Sequence, residues 1–421
     1  MRRTRMMLVL GRAAALGAGM SAVMLGCESP VGPGAVSDPE RQILNPPTRS
    51  TFDPVATPAA VELRAAVEAG DAIWGDRVAR AEVRERAVEV LERFAFDQAP
   101  VLRANALEGL HPVPRRAEAI AIAGLADPNA GVRSAAAMTI GRLGLRDSAE
   151  RVRALVRDPE PRVRAAAVYG LTVNAMSVGK DDLAAMLRHR SADVRGQAVF
   201  VLGEIGDVSA LPMIRESVRF DTGGSPLERQ IFGLQAAEAM VKLGETDAVD
   251  TMYAALYPSQ VEQLEATALA ASMLGLLAQD QAASQLVRLV EHVTPGSPQG
   301  NTRRAGWYRN DPDEQSFVMP AEVRLAAAGA LARLGYTDGV YVARQYMDHP
   351  ERAIRAQAAF TFGLMNPRRV PGPARGMREQ ARREALGRLS LMMEERDPLV
   401  RVHAAAGVLR LIEGDPEMAR R

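Results

Sequence analysis

One short phrase recurs along this chain at an almost constant interval, and that interval constrains the fold more than any other feature of the sequence. In each copy an arginine opens an alanine-rich apolar segment, and the aligned arginines are Arg133, Arg164, Arg195, Arg324, Arg355 and Arg401. The first three stand 31 residues apart, and Arg103 extends the series back by 30. A period of this length indicates an array of repeated supersecondary units.

Each copy of the phrase is predicted to be an amphipathic helix. In the copy at 321–335, Val323, Ala326 and Ala330 follow the spacing of one helix face. A second amphipathic segment follows each phrase, as at 152–156, so the repeated unit is predicted to be a pair of helices. Because alanine side chains are small, the alanine-rich helices of neighbouring units can approach one another closely. No single unit could bury its apolar face alone.

Short turns that contain proline introduce four of the phrases. Proline follows directly after Asp127, Asp158, His349 and Asp397. An aspartate can cap the free N–H groups at the start of a helix, and proline suits the first helical turn. These turns therefore predict the points at which new helices begin.

The combined pattern, Asp-Pro followed by Val-Arg, Ala-Ala and Leu-Gly, resembles the HEAT-repeat family, and in particular its short alanine-rich branch with repeats of the phycobilisome-lyase type. The resemblance covers about residues 78–415 and includes two degenerate units, at 234–247 and 266–279. It implies an all-α fold, a right-handed superhelical HEAT-repeat solenoid of about nine helix pairs, with a helix at 78–96 as its start.

The first 27 residues predict export and a lipid anchor. Residues 1–5 are basic, residues 6–26 are apolar apart from Arg12, and Cys27, the only cysteine, follows at once. A segment interrupted by Arg12 is too short to span a bilayer but is typical of a cleaved signal. Its end resembles the lipobox of bacterial lipoproteins, which implies cleavage before Cys27 and a lipid on its thiol. A plain secretory signal with an incidental cysteine is the alternative.

The residues after Cys27 predict the place of the anchor and the domain organisation. Glu28 follows the cysteine, whereas an aspartate there is often associated with inner-membrane retention, so an outer-membrane, periplasm-facing anchor is expected. Residues 28–58 hold seven prolines and no hydrophobic period, which predicts an extended tether. The expected organisation is a signal peptide at 1–26, a Pro-rich tether at 27–58 and a HEAT-repeat solenoid at 59–421.

The recurring arginines admit two interpretations. A row of cations along one surface is able to attract anionic ligands. In the HEAT repeats that the chain resembles, this arginine usually bonds an aspartate or backbone carbonyls of a neighbouring turn, and such charge-assisted bonds fix the register between repeats. The members of this predicted structural ladder are Arg103, Arg133, Arg164, Arg195, Arg324, Arg355 and Arg401.

The sequence offers no familiar catalytic or metal-binding pattern. Some HEAT-repeat oxygenases bind two irons through His-Glu pairs, but none of the five histidines here is followed by glutamate. Motifs of serine hydrolases and of nucleotide-binding loops are absent from the chain. We expect a protein that is not an enzyme and takes no cofactor and no metal. Removal of residues 1–26 would change the net charge from +1 to −3, so no nucleic-acid partner is expected.

Insertions interrupt the repeat and are expected to form surface loops. The insertion at 295–320 combines aromatic and basic residues, a composition that is enriched at interface hot spots. Its candidate binding residues are Arg303, Arg304, Trp307, Tyr308 and Arg309. The alternative is that Trp307 folds back and caps the neighbouring helices. The arginine-rich insertion at 366–383 is expected to be either a solvated loop or a surface for an acidic partner or lipid head groups.

These features predict a membrane-tethered HEAT-repeat lipoprotein that acts as a non-catalytic protein-binding scaffold, with protein partners in the bacterial cell envelope. The alternative is a small-ligand carrier or a lyase-like enzyme built on HEAT repeats. A long open concave groove would favour the scaffold, and a closed pocket with convergent polar groups would favour the alternative.

Overall fold

A computed structural model of the chain describes residues 58–220, 224–291, 319–365 and 375–414. Within these ranges the regular structure is helical and no strand is formed, so the predicted all-α class is confirmed for this part of the chain. None of these helices is both long and apolar enough to cross a membrane. The predicted signal peptide, nearly all of the predicted tether and most of the insertion at 295–320 lie outside the described residues.

Nineteen α-helices are formed in the described ranges. In chain order they are α1 (Pro58–Gly75), α2 (Arg77–Phe94), α3 (Pro100–Gly109), α4 (Pro114–Gly124), α5 (Ala130–Arg142), α6 (Arg146–Ala149), α7 (Pro161–Val173), α8 (Asp181–Met186), α9 (Ala192–Ile205), α10 (Leu211–Arg219), α11 (Pro226–Lys242), α12 (Asp250–Ala255), α13 (Leu264–Leu276), α14 (Ala283–Val290), α15 (Ala321–Arg333), α16 (Asp338–Gln345), α17 (Arg352–Gly363), α18 (Arg375–Met392) and α19 (Pro398–Glu413). Short 3₁₀ segments precede or extend several of the shorter helices, as at Glu150–Arg157 after α6. We call α3, α5, α7, α9, α11, α13, α15, α17 and α19 the ring helices, because each contains a copy of the repeated phrase, and the others the flanking helices.

The aspartates of the Asp-Pro turns act in two different ways. Asp397 caps α19, because its carboxylate accepts a hydrogen bond from the backbone N–H of Leu399 at 2.9 Å. Asp127 and Asp158 stand further from their helices and accept bonds inside the turn, Asp127 from the N–H of Asn129 at 2.8 Å. Asn129 itself caps α5. The turns therefore begin helices as predicted, but the capping residue differs from one unit to the next.

The ring helices pack side by side in chain order. Each contacts the next along the series from α3 to α19. Small side chains fill these interfaces: Ala135, Ala136 and Ala137 of α5 are buried, and α13 is buried along its whole length. Burial of apolar surface contributes roughly 25 cal/mol per Å². The array is therefore stabilised mainly through contacts between neighbouring units.

The two ends of this array meet. α19 packs against α3 as well as against α17, so every ring helix has a ring helix on each side. Flanking helices also take part in this closure, because α1 packs against α18 and α2 packs against α19. The described helices thus form a closed ring, a feature that the predicted solenoid did not include. The right-handed superhelical path stays a prediction.

Two glycines allow α1 and α18 to approach closely. A β-carbon on Gly70 would overlap the backbone carbonyl of Arg383, and a β-carbon on Gly387 would overlap the backbone carbonyl of Ala66. Beside this contact Arg383 Nη1 donates to the carboxylate of Asp71 at 3.2 Å. We call the contacts of α1 with α18 and of α2 with α19 the seam.

At the seam, one two-helix unit is built from both ends of the chain. α19 lies among the ring helices, and α2 flanks it and α3, just as α4 flanks α3 and α5. Leu91 of α2 and Ala406 of α19 both lie against Gly109 of α3. Leu91 is fully buried there. The N-terminal and C-terminal helices therefore complete each other's apolar packing.

Candidate functional site

Two of the ladder arginines form matching ion pairs along the array. Arg133 Nε and Nη2 donate to the two carboxylate oxygens of Asp158 at 2.8 and 2.9 Å. Its Nη1 donates to the backbone carbonyls of Asp127 and Pro128. Arg103 makes the same bidentate contact one unit earlier, with both distances to Asp127 at 2.7 Å. Each guanidinium thus joins its own turn to the turn of the next unit.

The other ladder arginines vary more in their acceptors. Arg164 and Arg355 bond the carboxylates of Asp182 and Glu395, respectively. The backbone carbonyls of His189, Met393 and Val290 accept hydrogen bonds from Arg195, Arg401 and Arg324, in that order. Arg324 differs most, since it also donates to the hydroxyl of Tyr346 at 2.7 Å. All seven ladder arginines have hydrogen-bond acceptors within the described part of the chain. This bonding favours the structural interpretation of the ladder over anion binding.

Replacement of Arg133 by alanine is expected to lower the free energy of unfolding by about 1–3 kcal/mol, because Asp158 loses its charged partner in a nearly buried position. Burial alone would raise the pKa of Asp158, but Arg133 and the backbone N–H of Glu160 hold it below its usual value. The stabilisation is therefore present above the ordinary pKa of 3.8 and is lost as pH falls through the lower folded value. Urea unfolding at pH 7 and at acidic pH measures both effects.

A matched control is Arg153→Ala. Arg153 pairs with Glu150 one helical turn away on the exposed surface, and it also donates to the exposed backbone carbonyl of Ser177 at 3.2 Å. Such pairs contribute about 0–1 kcal/mol, so this variant should unfold nearly as the wild type does. Equal losses in the two variants would show that the ladder bonds have no special part in joining the units.

A second set of side chains follows the ladder at fixed offsets. These residues are polar or aromatic. They stand five or nine positions after the ladder arginine, or after the residue that replaces it in the two degenerate copies. They are Glu108, Arg142, Tyr169, Phe200, Glu204, Glu238, Lys242, Ser272, Arg333, Phe360 and Arg410. The guanidinium carbon of Arg142 on α5 lies 5.8 Å from the ring centroid of Phe200 on α9, although α7 stands between these helices. Side chains of next-nearest helices meet on the concave side of a curved array. We call this surface, inside the ring, the inner face.

One half of the inner face contains a balanced set of charges. Lys242 Nζ lies 2.7 Å from a carboxylate oxygen of Glu204 and 2.7 Å from one of Glu238. It also lies 5.5 Å from the ring centroid of Phe200, over which Arg142 stacks. Burial alone would lower the pKa of Lys242, but the two carboxylates raise it above its usual value. We call these five residues the lysine cluster, a satisfied network of two cations and two anions.

The other half of the inner face holds two arginines and a histidine around one aromatic ring. The guanidinium carbons of Arg410 and Arg333 lie 4.9 and 5.8 Å from the ring centroid of Phe360. The ring of His403 meets the ring of Phe360 edge-on, with centroids 6.3 Å apart. Burial and the charge of Arg410 lower the pKa of His403 to about 4, so its imidazole is neutral at pH 7. We call these four residues the arginine cluster.

Three further histidines of the described ranges have hydrogen-bond partners. His111 is buried, and its Nε2 lies 2.9 Å from the hydroxyl of Thr139. His189 and His349 each accept a backbone N–H through Nδ1 in the turn before a ring helix. Over the described ranges, no three His, Cys, Asp or Glu side chains form a group that could hold a metal ion.

The described part of the structure does not include the binding residues that were predicted from the sequence. Cys27, Arg303, Arg304, Trp307, Tyr308 and Arg309 lie outside the described residues. The inner face, in contrast, is absent from the sequence-based prediction, because single copies of the phrase do not reveal it. The signal that could have found it is an alignment of all copies, in which polar and aromatic residues recur at the same two offsets of otherwise apolar helices.

Comparison with known proteins supports the repeat class. Residues 118–180 match the family of HEAT repeats, which supports a HEAT-repeat protein. Comparison with curated proteins found no match. Among solved structures, human deoxyhypusine hydroxylase in complex with glycerol is similar at 17% identity and a TM-score of 0.32, over 68% of this chain and 97% of that chain. An engineered protein is similar at 16% identity and a TM-score of 0.28, over 85% of this chain and 97% of that chain. The segment that matches the family contains the ladder arginines Arg133 and Arg164.

Proposed function

We propose that the chain is a membrane-tethered, non-catalytic HEAT-repeat scaffold that binds protein partners in the bacterial cell envelope. HEAT repeats are commonly protein-interaction scaffolds. In this proposal Cys27 bears the lipid, and the tether holds the ring away from the outer membrane on its periplasmic side. The array consists of nine helix pairs, of which the ninth combines α19 with α2. A closed array presents flanking helices and loops to a partner rather than an open groove.

The observation that most directly supports a protein partner is a small apolar cleft between α8 and α10. Phe220, with 48% of its surface exposed, lines this cleft together with Met213 and Leu187. Arg188 and Glu216, which pair with each other at 3.4 Å, also line it. Exposed apolar side chains that are rimmed by charged ones are typical of protein-binding surfaces. We call this surface the outer cleft.

Crosslinking in native membranes, followed by purification and mass spectrometry, tests the scaffold. Phe220→Ala is expected to reduce recovery of the partner at least about ten-fold while leaving thermal unfolding unchanged, since it removes a hot-spot side chain. Tyr257→Ala is the control, because Tyr257 is similarly exposed but lies outside the outer cleft. A second variant, Trp307→Ala with Tyr308→Ala, examines the insertion at 295–320. Undiminished capture by both test variants would remove both surfaces from the proposal.

The lipid anchor has its own test. Cys27→Ala is expected to abolish lipid labelling and to release the protein from the membrane fraction, because the thiol is the attachment point in the proposal. Glu28→Asp should keep the label but shift the protein toward the inner-membrane fraction. Labelling that persists in Cys27→Ala would contradict the lipoprotein assignment. Labelling that is lost with an unchanged membrane fraction would contradict the anchor alone.

A small-ligand carrier is the second candidate, and the closed ring with polar groups converging on its inner face favours it. Closed sites with a few convergent polar groups are typical of small-ligand binding. The two functions make different demands on the molecule. A scaffold depends on the outer cleft and the loops, whereas a carrier depends on the inner face, so variants of Phe220 and of Arg410 separate them.

A further inference from the structure

The outer cleft is small and opens to solvent. Its volume of about 280 Å³ lies below the range of about 300–1,000 Å³ that is typical of pockets for drug-sized ligands. Leu187 and Phe220 line it, the first 2% and the second 48% exposed. Ser217 also lines it, but its hydroxyl already donates to the backbone carbonyl of Leu187 at 2.7 Å. The cleft therefore suits one apolar side chain of a larger partner.

The segments that line the cleft carry more positive than negative charge. Residues 184–188 and 213–220 contain three arginines and one acidic residue. Two of these arginines have carboxylate partners, in the pairs Arg215–Glu245 at 2.7 Å and Arg188–Glu216 at 3.4 Å. Both side chains of the second pair are well exposed, and exposed pairs are weak. Arg219 is also exposed, and its side chain makes no ion pair with any described residue. The cleft therefore lies in a cationic surface.

Arg188 and Arg219 occupy the same position in two neighbouring units. They are 31 residues apart, and Leu183 and Ile214, each five residues earlier, are both fully buried. Arg219 ends α10, and Arg188 stands two residues after the end of α8. Arg188 lines the cleft, and Arg219 directly precedes Phe220, which lines it as well. Both arginines therefore lie next to the apolar contact, at the same end of their helices.

We propose that the outer cleft binds an acidic peptide segment of a partner protein, with one apolar side chain of that segment in the cleft. Carboxylates of the segment complement the exposed arginines, because guanidinium groups donate paired hydrogen bonds to carboxylate oxygens. The apolar side chain covers the exposed part of Phe220 and anchors the segment. A cleft for one side chain suits a peptide better than the flat surface of a lipid bilayer. This inference rests on the proposed scaffold function and names the chemistry of its partner.

Fluorescence anisotropy of the full chain with a labelled peptide tests the proposal. The probe is a short peptide with a leucine at its centre and glutamates on both sides, and in a second peptide glutamine replaces every glutamate. We expect the glutamate peptide to bind at least about ten-fold more tightly than the glutamine peptide, and to bind more weakly as salt screens the exposed charges. Equal binding of the two peptides, or no binding of either, would overturn the proposal. Binding to phosphatidylglycerol vesicles without binding of the glutamate peptide would overturn it in favour of a lipid surface.

Variants locate the bound peptide. Arg188→Gln with Arg219→Gln is expected to weaken binding of the glutamate peptide at least about ten-fold, because two cations are removed. Phe220→Ala should weaken it by a similar factor through loss of the anchor. The control is Arg115→Gln with Arg146→Gln, since these arginines are also exposed and 31 residues apart but stand at the starts of α4 and α6. All four arginines are exposed, so both double variants should unfold as the wild type does. Equal losses in the two double variants would reveal unspecific attraction and would refute the site.

The failure of this inference can be distinguished from the failure of the scaffold function. If Phe220→Ala reduces capture of the native partner but the glutamate peptide does not bind, the scaffold stands and the acidic class of partner is wrong. If capture does not depend on Phe220 and the peptide does not bind, the outer cleft is not a binding site and both proposals fail there.

Discussion

Replacement of Gly387 by alanine is expected to lower the free energy of unfolding by about 3 kcal/mol, although alanine favours a helix interior over glycine by about 0.5–1 kcal/mol. The added β-carbon would overlap the backbone carbonyl of Ala66, so α1 and α18 would have to separate. A side chain can rotate out of the way, but a helix backbone cannot. Urea unfolding measures the loss as a lower transition midpoint, and limited proteolysis shows whether α1 is released first.

Gly233→Ala is the matched control for this prediction. Gly233 also lies inside a helix, the ring helix α11, but open space surrounds the position of its missing β-carbon. This variant is expected to be as stable as the wild type or more stable by about 0.5–1 kcal/mol. If Gly387→Ala behaved like Gly233→Ala, the close approach of α1 and α18 would not exist in solution.

Replacement of Lys242 by methionine is expected to cost about 3–5 kcal/mol, because it leaves the carboxylates of Glu204 and Glu238 without their cation. In the wild type the raised pKa of Lys242 contributes stability at all pH values below its ordinary value of 10.5, and that contribution is lost as pH rises through the folded value. In the variant the two carboxylates lie close together without a cation, so they repel each other once both are charged. The variant should therefore become less stable from pH 5 to pH 8, which urea unfolding across about this range measures.

The only other lysine of the chain supplies the control. Lys180 Nζ lies 2.6 Å from Asp207, but its side chain is 38% exposed, against 16% for Lys242. Exposed pairs contribute about 0–1 kcal/mol, so Lys180→Met should change stability little and should not alter its dependence on pH between about pH 5 and pH 8. A small, pH-independent effect of Lys242→Met would contradict the lysine cluster as a buried ionic network.

The repeated phrase was sufficient to predict most of the ring helices. The alanine stripe, the ladder arginine and the turn before it are local patterns, and each predicts a helix start or a helix face within one unit. The degenerate copies at 234–247 and 266–279 fall in α11 and α13, because the apolar spacing survives where the arginine is lost. Local patterns of this kind are strong when many copies agree.

The closure of the ring could not be predicted in this way. α1 contains no copy of the phrase, and its partner α18 lies more than 300 residues away along the chain. The sequence does not indicate that Gly70 and Gly387 lie at a close contact, because that contact exists only when the two helices face each other. Contacts between distant segments leave no period in a single sequence. For the same reason the contact between α2 and α19 could not be predicted.

The inner face was missed for a different reason. In a single helix, Phe360 or Arg410 interrupts the apolar stripe and is naturally read as part of the solvent side. Only the curvature of the array brings such residues from α15, α17 and α19 together. The arginine ladder, in contrast, could be predicted from the sequence. Arg133 bonds Asp158 in the turn of the next repeat, and the repeated phrase reveals both positions.

Chemical crosslinking across the seam tests the closed ring most directly. In the full chain with Cys27→Ala, which removes the only native cysteine, Asp71→Cys and Arg383→Cys place two thiols where the native side chains lie 3.2 Å apart. A short bismaleimide should then join them within one molecule, which migrates faster in a denaturing gel and yields a linked peptide from α1 and α18. The pair Asp71→Cys with Glu216→Cys is the control, because Glu216 lies on α10, well along the ring from the seam. The closed ring predicts an efficient intramolecular link for the first pair and none for the second. Absence of that link in folded monomers, or links only between separate chains, would contradict the closed ring.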